Sequence, residues 1–234
     1  MSIRICRVAL GTMFILAMIF TGGATARENS LSQDGNREAE GLSVSPTSGI
    51  SHEEENALKG DAEAASRMML AAGKIENNRA AFLEWALIAA ENGGARQEYT
   101  YAFFLINDNY AANRVRATFW LLRAESHGSS EASELLIKIR NEPTLNPVTG
   151  KQIIPTTNSD KVQIAALSGS QSSSNTLCRK KSHAKVTAGD RRYWCQIAAE
   201  NGGAEAMAVY AQLLEASDSA VDRMRAQYWK RKIS

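Results

Sequence analysis

Histidine, proline and cysteine are scarce in this sequence, and each shortage restricts the folds or functions open to it. The 234 residues include three histidines, four prolines and three cysteines. Basic and acidic side chains nearly balance, at 27 against 25, whereas nucleic-acid-binding domains usually carry a basic excess. We therefore expect no nucleic-acid partner. With 44% hydrophobic residues the chain is able to bury a core, and abundant alanine with few prolines and 7% aromatic residues favours helices over a β-sandwich.

The three histidines do not form a catalytic or metal-binding pattern. His52 stands in the run His-Glu-Glu-Glu-Asn, which lacks the second histidine of the zincin helix motif. His127 directly precedes Gly128 at a predicted helix end, where the helix dipole favours a cation, and His183 lies in a basic segment. The sequence also lacks a Gly-x-Ser-x-Gly elbow and a complete phosphate-binding loop. We therefore predict no catalytic residue, no metal ligand and no cofactor site.

The N-terminus has the organisation of a secretory signal peptide. Arg4 and Arg7 precede an uninterrupted run of low polarity over residues 8–20, and Ala-Thr-Ala at 24–26 supplies small residues for cleavage. The apolar run is too short for a membrane span, which needs about 20 apolar residues. We predict a signal peptide over residues 1–26, cleavage after Ala26, export to the periplasm and a mature chain without a membrane span.

Residues 27–56 are rich in serine, glutamate, asparagine and glycine, and they show almost no apolar periodicity. Such a segment buries too little apolar surface to offset the entropy cost of ordering it. We predict a flexible tether here, and a strand pair formed by GLSVS and SGIS is the alternative.

An internal repeat is the most specific feature of the sequence. At a fixed offset of 109, residues 85–120 match residues 194–229 at 17 of 36 positions, including the octapeptide Ile-Ala-Ala-Glu-Asn-Gly-Gly-Ala. The two tryptophans within each copy are 35 residues apart. A glycine recurs at a similar spacing, at Gly60, Gly93, Gly128, Gly169 and Gly202. The repeating unit is therefore about 35 residues long.

Two helices fit into each unit. A small or polar residue four positions after most of these glycines and a larger apolar residue at the eighth position share one helix face. A tryptophan eight positions before three of the glycines marks a second helix that ends at the glycine, which adopts left-handed conformations at no steric cost. The anchors of this pattern are Gly60, Trp85, Gly93, Trp120, Gly128, Trp194, Gly202 and Trp229. We predict that the first three tryptophans lie in the core and that Trp229, in the last helix, is partly exposed.

These patterns resemble Sel-1-like repeats, which are short relatives of tetratricopeptide repeats. The resemblance is carried by Trp-Ala-Leu-Ile-Ala-Ala-Glu-Asn-Gly at 85–93 and by the corresponding runs that begin at Trp120 and Trp194. It covers residues 57–140, as the first three repeats, and residues 158–234. It implies an all-α, right-handed α-solenoid of about four to five helix-turn-helix repeats.

The chain departs from the family pattern at several places. Residues 141–157 contain three of the four prolines and are predicted to be an insertion inside the third unit. The fourth unit, over about 158–200, has Lys161 in place of its tryptophan and is predicted to be degenerate. Met69 and Ile137 stand where the family has glycine or alanine, so we expect looser first and third helix pairs.

The mature chain would keep two cysteines, Cys178 and Cys195, because cleavage removes Cys6. In an oxidising compartment two such cysteines are expected to pair. If the fourth unit forms, Cys178 falls where its first helix faces the second, and Cys195 lies in that second helix. A disulfide would then link the two helices of this unit covalently, an arrangement similar to that of the cysteine-rich branch of the family.

The resemblance implies an extended surface that holds a protein partner. In related architectures the first helix of each unit lines the concave side, so we projected the positions of these helices that do not face the second helix. They are Arg67, Leu70, Arg96, Tyr99, Phe103, Leu135, Lys138, Val209 and Gln212. Aromatic and arginine side chains are typical of interface centres, although Tyr99 and Phe103 could instead pack between units.

Exported members of this family resemble immunity proteins that neutralise antibacterial effectors, or regulators of envelope systems. We therefore expect a non-catalytic binder of one specific protein, and a scaffold that bridges several envelope proteins is a second possibility. The alternative is a glycan- or β-lactam-binding or hydrolysing protein of the cysteine-containing branch. The basic segment 179–185, with Arg191 and Arg192, would contact an acidic partner or an anionic glycan, or would be a solvated loop.

Overall fold

Eleven α-helices occupy the described part of the chain, which comprises residues 50–74, 78–107, 111–141, 157–179 and 188–234 of a computed structural model. In chain order they are α1 (His52–Lys59), α2 (Ala62–Lys74), α3 (Arg79–Asn92), α4 (Ala95–Ile106), α5 (Ala111–Ser126), α6 (Ser130–Asn141), α7 (Asn158–Leu167), α8 (Gln171–Arg179), α9 (Ala188–Glu200), α10 (Ala204–Glu215) and α11 (Ala220–Arg231). These ranges contain no strand, so the prediction of an all-α fold is confirmed for them. The predicted signal peptide, most of the tether and most of the insertion lie outside the described residues.

The first helix begins inside the segment that the sequence assigns to the tether. The Ser51 hydroxyl accepts the Glu54 amide at 3.2 Å, and the Glu54 carboxylate accepts the Ser51 amide at 3.4 Å. This reciprocal capping box satisfies two amides that a helix start would otherwise leave unpaired. The helix ends at Gly60, whose φ of 119° is left-handed. The assignment of residues 52–56 to the tether is therefore wrong.

Consecutive helices pack in pairs over most of the chain: α2 with α3, α4 with α5, α8 with α9, and α10 with α11. The third pair is the exception, because α6 packs on α5, while α7 packs on α8 and α5. Residues 141–157 thus separate the two helices that the sequence combines in one unit. Met69 is buried between the closely packed α2 and α3, so the expected loosening of the first pair is wrong.

Three of the four tryptophans lie in the core. Trp85, Trp120 and Trp229 are at most 4% exposed, whereas Trp194 is half-buried, so the predicted core position is wrong for Trp194. The expected partial exposure of Trp229 is wrong, because its helix packs on α1 as well as on α10 and is not an open end. The Trp229 ring also meets the ring of Tyr210 edge-on, with centroids 5.7 Å apart.

The disulfide between Cys178 and Cys195 joins α8 to α9, as predicted. The two Cα atoms lie 4.5 Å apart, and both cysteines are buried. Residues 158–179 and 188–200, which carry the predicted degenerate unit, are helical throughout α7, α8 and α9 apart from the turn at 168–170. The bridge therefore fastens α8 to the helix that carries Trp194, while Lys161 stands in the tryptophan position of α7.

The last helix, α11, packs on the first helix, α1, so the two ends of the helix row are in contact. A shift of 109 residues places α1 to α5 onto α7 to α11, so that Leu58 corresponds to Leu167 and Arg116 to Arg225. We call α1 to α5 the first half and α7 to α11 the second half. The remaining helix, α6, follows the first half and packs on its last helix.

Each half covers a glycine of the other half with an aromatic ring. A Cβ placed on Gly60 would lie 3.1 Å from the ring of Tyr228, and a Cβ placed on Gly169 would lie 2.8 Å from the ring of Phe119. Both members of one contact are 109 residues from their counterparts in the other. Reciprocal contacts of this kind characterise isologous, two-fold packing. The two halves are thus related like the subunits of a symmetric dimer within one chain.

Candidate functional site

A buried arginine from the last helix of each half reaches into the other half. In the second half, Arg225 of α11 binds Glu91 Oε2 at 2.5 Å, Asn92 Oδ1 at 2.8 Å and the main-chain oxygen of Leu58 at 3.2 Å. Since Leu58 lies in α1 and the other two residues end α3, one side chain fastens both helices to α11. The side chains of Arg225 and Glu91 are 6% and 3% exposed, so this ion pair is almost fully removed from water.

The same contact recurs with the halves exchanged. Arg116 of α5 binds Glu200 Oε2 at 2.5 Å, Asn201 Oδ1 at 2.7 Å and the main-chain oxygen of Leu167 at 3.2 Å. Its side chain and that of Glu200 are 5% and 2% exposed. We call the four charged residues, Glu91, Arg116, Glu200 and Arg225, the central network. Because burying an unpaired charge is costly, each half satisfies a charge that the other half buries.

The two carboxylates of the central network influence one another. Burial raises the pKa of Glu200 to about 7, the Glu91 charge adds to the shift, and Arg116 opposes it. Gln196 donates its side-chain amide to Glu91 Oε1 at 3.0 Å, which satisfies the carboxylate oxygen that Arg225 leaves free. The network therefore holds a proton-sensitive carboxylate among buried hydrogen bonds, although the buried Nε of Arg116 has no hydrogen-bond partner among the described residues.

An open cleft of about 420 Å³ lies beside the central network, between α5, the end of α9 and α11. Its lining residues are Phe119, Leu122, Arg123, Ser126, Ala199, Glu200, Asn201, Gly202, Met207, Trp229 and Lys232. Arg123 and Lys232 occupy equivalent positions of the two halves, 109 residues apart. The cleft therefore combines an apolar wall with a cation from each half. We call it the α5–α11 cleft.

The two cations of the α5–α11 cleft have different partners. Arg123 Nε lies 2.7 Å from Glu98 Oε1, and His127 Nδ1 lies 2.8 Å from the other oxygen of the same buried carboxylate. Lys232 instead donates its ammonium to the main-chain oxygen of Glu91 at 2.6 Å. Burial lowers the pKa of Lys232 to about 8, and the nearby Arg123 charge adds to the shift. His127, which the sequence assigned to the helix dipole, thus has a side-chain partner as well.

The residues predicted to bind a partner are accessible but spread over four helices. Six of the seven strongest candidates are exposed and Tyr99 is half-buried; the exposed ones are Arg67, Leu70, Arg96, Phe103, Lys138 and Gln212. The first five candidates lie on α2 and α4, which both pack on α3 and are linked by the Gln97 amide, a donor to Glu63 at 2.6 Å. Lys138 and Gln212 lie on two other helices, α6 and α10.

We call Arg67, Leu70, Arg96, Tyr99 and Phe103 the α2–α4 patch. Leu70 and Phe103 are 46% and 44% exposed, which is high for large apolar side chains. Phe103 contacts the Tyr99 ring at 6.2 Å between centroids, while Arg67 Nε lies 2.5 Å from a Glu53 oxygen. The patch therefore presents apolar side chains beside arginines, a composition typical of interface centres.

The basic segment is only partly described, and its described arginines are mostly engaged. Arg179 forms an exposed ion pair with Glu205. Arg192 binds both oxygens of Asp222, at 2.8 and 2.6 Å, and so fixes α9 to α11. Residues 180–187, including His183, lie outside the described residues. The described part of this cluster thus serves helix packing, which the sequence had not indicated.

Sequence reasoning missed the central network, although a signal for it was present. Glu91 and Glu200 lie in the repeated octapeptide, and Arg116 and Arg225 lie in the repeated ends of the two copies. Charged residues identical in both copies, placed among buried alanines and tryptophans, indicate a shared buried contact. The spacing within one unit did not reveal that each arginine contacts the other copy.

Among the described residues, no group of three or more histidine, cysteine, aspartate or glutamate side chains is arranged to hold a metal ion. No helix in the described ranges is long and apolar enough to cross a membrane. Comparison with protein-family models, curated proteins and solved structures finds no match to this chain. Membership of the Sel-1-like repeat family therefore stays a prediction from the sequence.

Proposed function

We propose that this chain is an exported, non-catalytic helical-repeat protein that binds one specific protein through its α2–α4 patch. In this proposal the helices form a right-handed α-solenoid of four to five Sel-1-like repeats, and the patch lies on its concave side. The observation that carries the proposal is the exposure of Leu70 and Phe103 on two helices that both pack on α3 and that Gln97 links by a hydrogen bond to Glu63. Large apolar side chains grouped on a surface are typical of protein-binding sites.

The charges around the patch support a protein partner. Arg67 and Arg96 are exposed on the same two helices as the apolar side chains, and arginine is enriched at binding hot spots because it combines an apolar stem with several donors. A rigid scaffold behind the patch lowers the entropy cost of binding, since neither α2 nor α4 has to order on contact. The role we propose is that of an immunity protein against a secreted antibacterial effector, with envelope regulation as the alternative role.

The test is capture of the partner by the tagged mature chain, residues 27–234, expressed in the periplasm of its own host and crosslinked. One stoichiometric protein partner is expected, and a toxin encoded beside the gene would establish the immunity role. Leu70→Glu and Phe103→Glu should each abolish capture, while Ile137→Glu, at a site 57% exposed on α6, should not. Equal capture by all three variants would refute the α2–α4 patch as the binding site.

The glycan or β-lactam alternative is tested with the same protein. Turnover of nitrocefin by purified protein, or retention of a glycan in place of a protein partner, would replace the proposal of a non-catalytic protein binder. In keeping with a non-catalytic binder, we expect no turnover. The disulfide variant Cys178→Ser with Cys195→Ser would serve as a control, because a bridge that only joins helices leaves binding at the α2–α4 patch intact.

A further inference from the structure

The α5–α11 cleft has an electrostatic feature that the fold does not require. Lys232 is exposed to solvent and has no carboxylate within ion-pair distance among the described residues. Its ammonium contacts the main-chain oxygen of Glu91 and lies 4.8 and 5.4 Å from the ring centroids of Tyr228 and Trp229. Partial burial and the charge of Arg123 lower the pKa of Lys232, as does Arg225, whereas the charges of Glu91 and Glu98 raise it. The net effect disfavours the charged form of Lys232, and a nearby anion would favour it.

The other charged groups at the cleft already have counter-ions. Arg123 is paired with the fully buried Glu98 carboxylate, and Glu200 is paired with Arg116. The cleft therefore has one positive charge without a matching negative charge, at Lys232. Bringing a single negative charge to this ammonium would remove the imbalance and form a charge-assisted hydrogen bond, which is stronger than a neutral one.

Apolar side chains form much of the remaining wall of the cleft, beside the polar Ser126 and Asn201. Phe119, Leu122, Met207 and Trp229 line it, and the Leu122 side chain is 50% exposed although it stands at a cavity. Covering such a side chain with an apolar group is favourable, at about 25 cal/mol for each Å² removed from water. The volume of about 420 Å³ falls in the usual range for small-ligand pockets, which runs from roughly 300 to 1,000 Å³.

We infer that the α5–α11 cleft binds a monocarboxylate carried on an apolar stem, with Lys232 and Arg123 at the carboxylate and Leu122 and Met207 along the stem. A single negative charge suits the cleft better than a phosphate dianion, because only one cation there lacks a partner. Such a group occurs at the C-terminus of a polypeptide that ends in an apolar residue, and in free arylalkanoic acids. The inference does not depend on the proposed function, since the cleft shares no residue with the α2–α4 patch.

The test measures binding of two probes to the mature chain by calorimetry. One probe is a hexapeptide that ends in Phe-Leu with a free carboxylate, compared with the same peptide as its C-terminal amide. The other is 4-phenylbutyrate, compared with 4-phenylbutyramide. We expect at least one acid to bind at least tenfold more tightly than its amide. Binding of the peptide alone assigns the site to a polypeptide terminus, and binding of phenylbutyrate alone assigns it to a small acid.

Matched variants locate the binding. Lys232→Met should weaken the acid at least tenfold and leave the amide unchanged, whereas Lys232→Arg, which keeps the charge, should retain most of the affinity. Lys230→Met, which removes an exposed lysine paired with Glu215, should have no effect. The far-ultraviolet circular dichroism of each variant shows whether it is folded. The inference is overturned if neither acid binds at millimolar concentration, if acid and amide bind equally, or if Lys232→Met and Lys230→Met behave alike.

Discussion

Replacement of Arg225 by methionine tests whether the two halves depend on each other. The side chain is 6% exposed, and its loss leaves the Glu91 carboxylate, 3% exposed, without its buried counter-ion. Breaking such a pair by removing one partner typically costs about 3–5 kcal/mol. Two acceptors, Asn92 Oδ1 and the Leu58 oxygen, also lose their donor. We therefore expect Arg225→Met to lower the free energy of unfolding by about 3–5 kcal/mol.

Urea unfolding of the mature chain, followed by tryptophan fluorescence and far-ultraviolet circular dichroism, measures this loss. With a slope of about 2 kcal/mol per molar urea, the midpoint should fall by about 1.5–2.5 M. Arg116→Met should have a similar effect because it breaks the equivalent contact of the other half. Arg179→Met is the control, since it removes an arginine from an exposed ion pair and should leave the midpoint almost unchanged.

A double variant separates the buried charge from the rest of the side chain. In Arg225→Met with Glu91→Gln no unpaired charge remains, so at least about 2 kcal/mol of the loss should return. The reasoning is refuted if Arg225→Met and the exposed control shift the midpoint equally, or if the double variant is as unstable as the single one. Either result would mean that the central network does not hold the halves together.

Three further perturbations have defined outcomes. The pKa of Glu200 is raised to about 7 from an ordinary 4.5, so the folded state favours the protonated carboxyl. The free energy of unfolding should therefore decline as pH rises from about 4.5 to about 7, and urea midpoints measure it. Glu200→Gln should flatten this decline. Reduction of the Cys178–Cys195 bridge should raise the mass by two daltons and lower stability by about 3 kcal/mol, and an unchanged mass would rule the bridge out. Gly60→Ala should lower the melting temperature more than Gly128→Ala, because both positions have a positive φ, 119° and 95°, but only a Cβ at the first meets an aromatic ring.

The class of fold was predictable because local patterns determine it. Glycines such as Gly93 and Gly202 end helices in both copies, and tryptophans such as Trp85 and Trp120 mark the faces that pack. Each of these signals acts within about 35 residues, which is the length over which the sequence repeats. The disulfide was also predictable, since the mature chain would hold two cysteines placed on neighbouring helices.

The closure of the helix row was not predictable from those local patterns. Contacts between α11 and α1 join residues up to 172 positions apart, such as Arg231 and Lys59. A repeat pattern specifies how each unit meets the next one, but it does not specify whether the last unit meets the first. The expected exposure of Trp229 was wrong for this reason, because the sequence treats the last helix as an open end.

The reciprocal contacts change how this protein should lose its structure. In an open solenoid each repeat contacts only its neighbours, so removal of the last helix affects one end alone. Here α11 supplies Arg225 to Glu91 and the Tyr228 ring to Gly60, so its removal would expose a buried charge and an apolar surface in the first half. Since α5 makes the equivalent contacts to the second half, separating the halves would leave buried charges unpaired in both. The described helices should therefore unfold as one cooperative unit rather than from one end, as a dimer does when its subunits have no stable monomer.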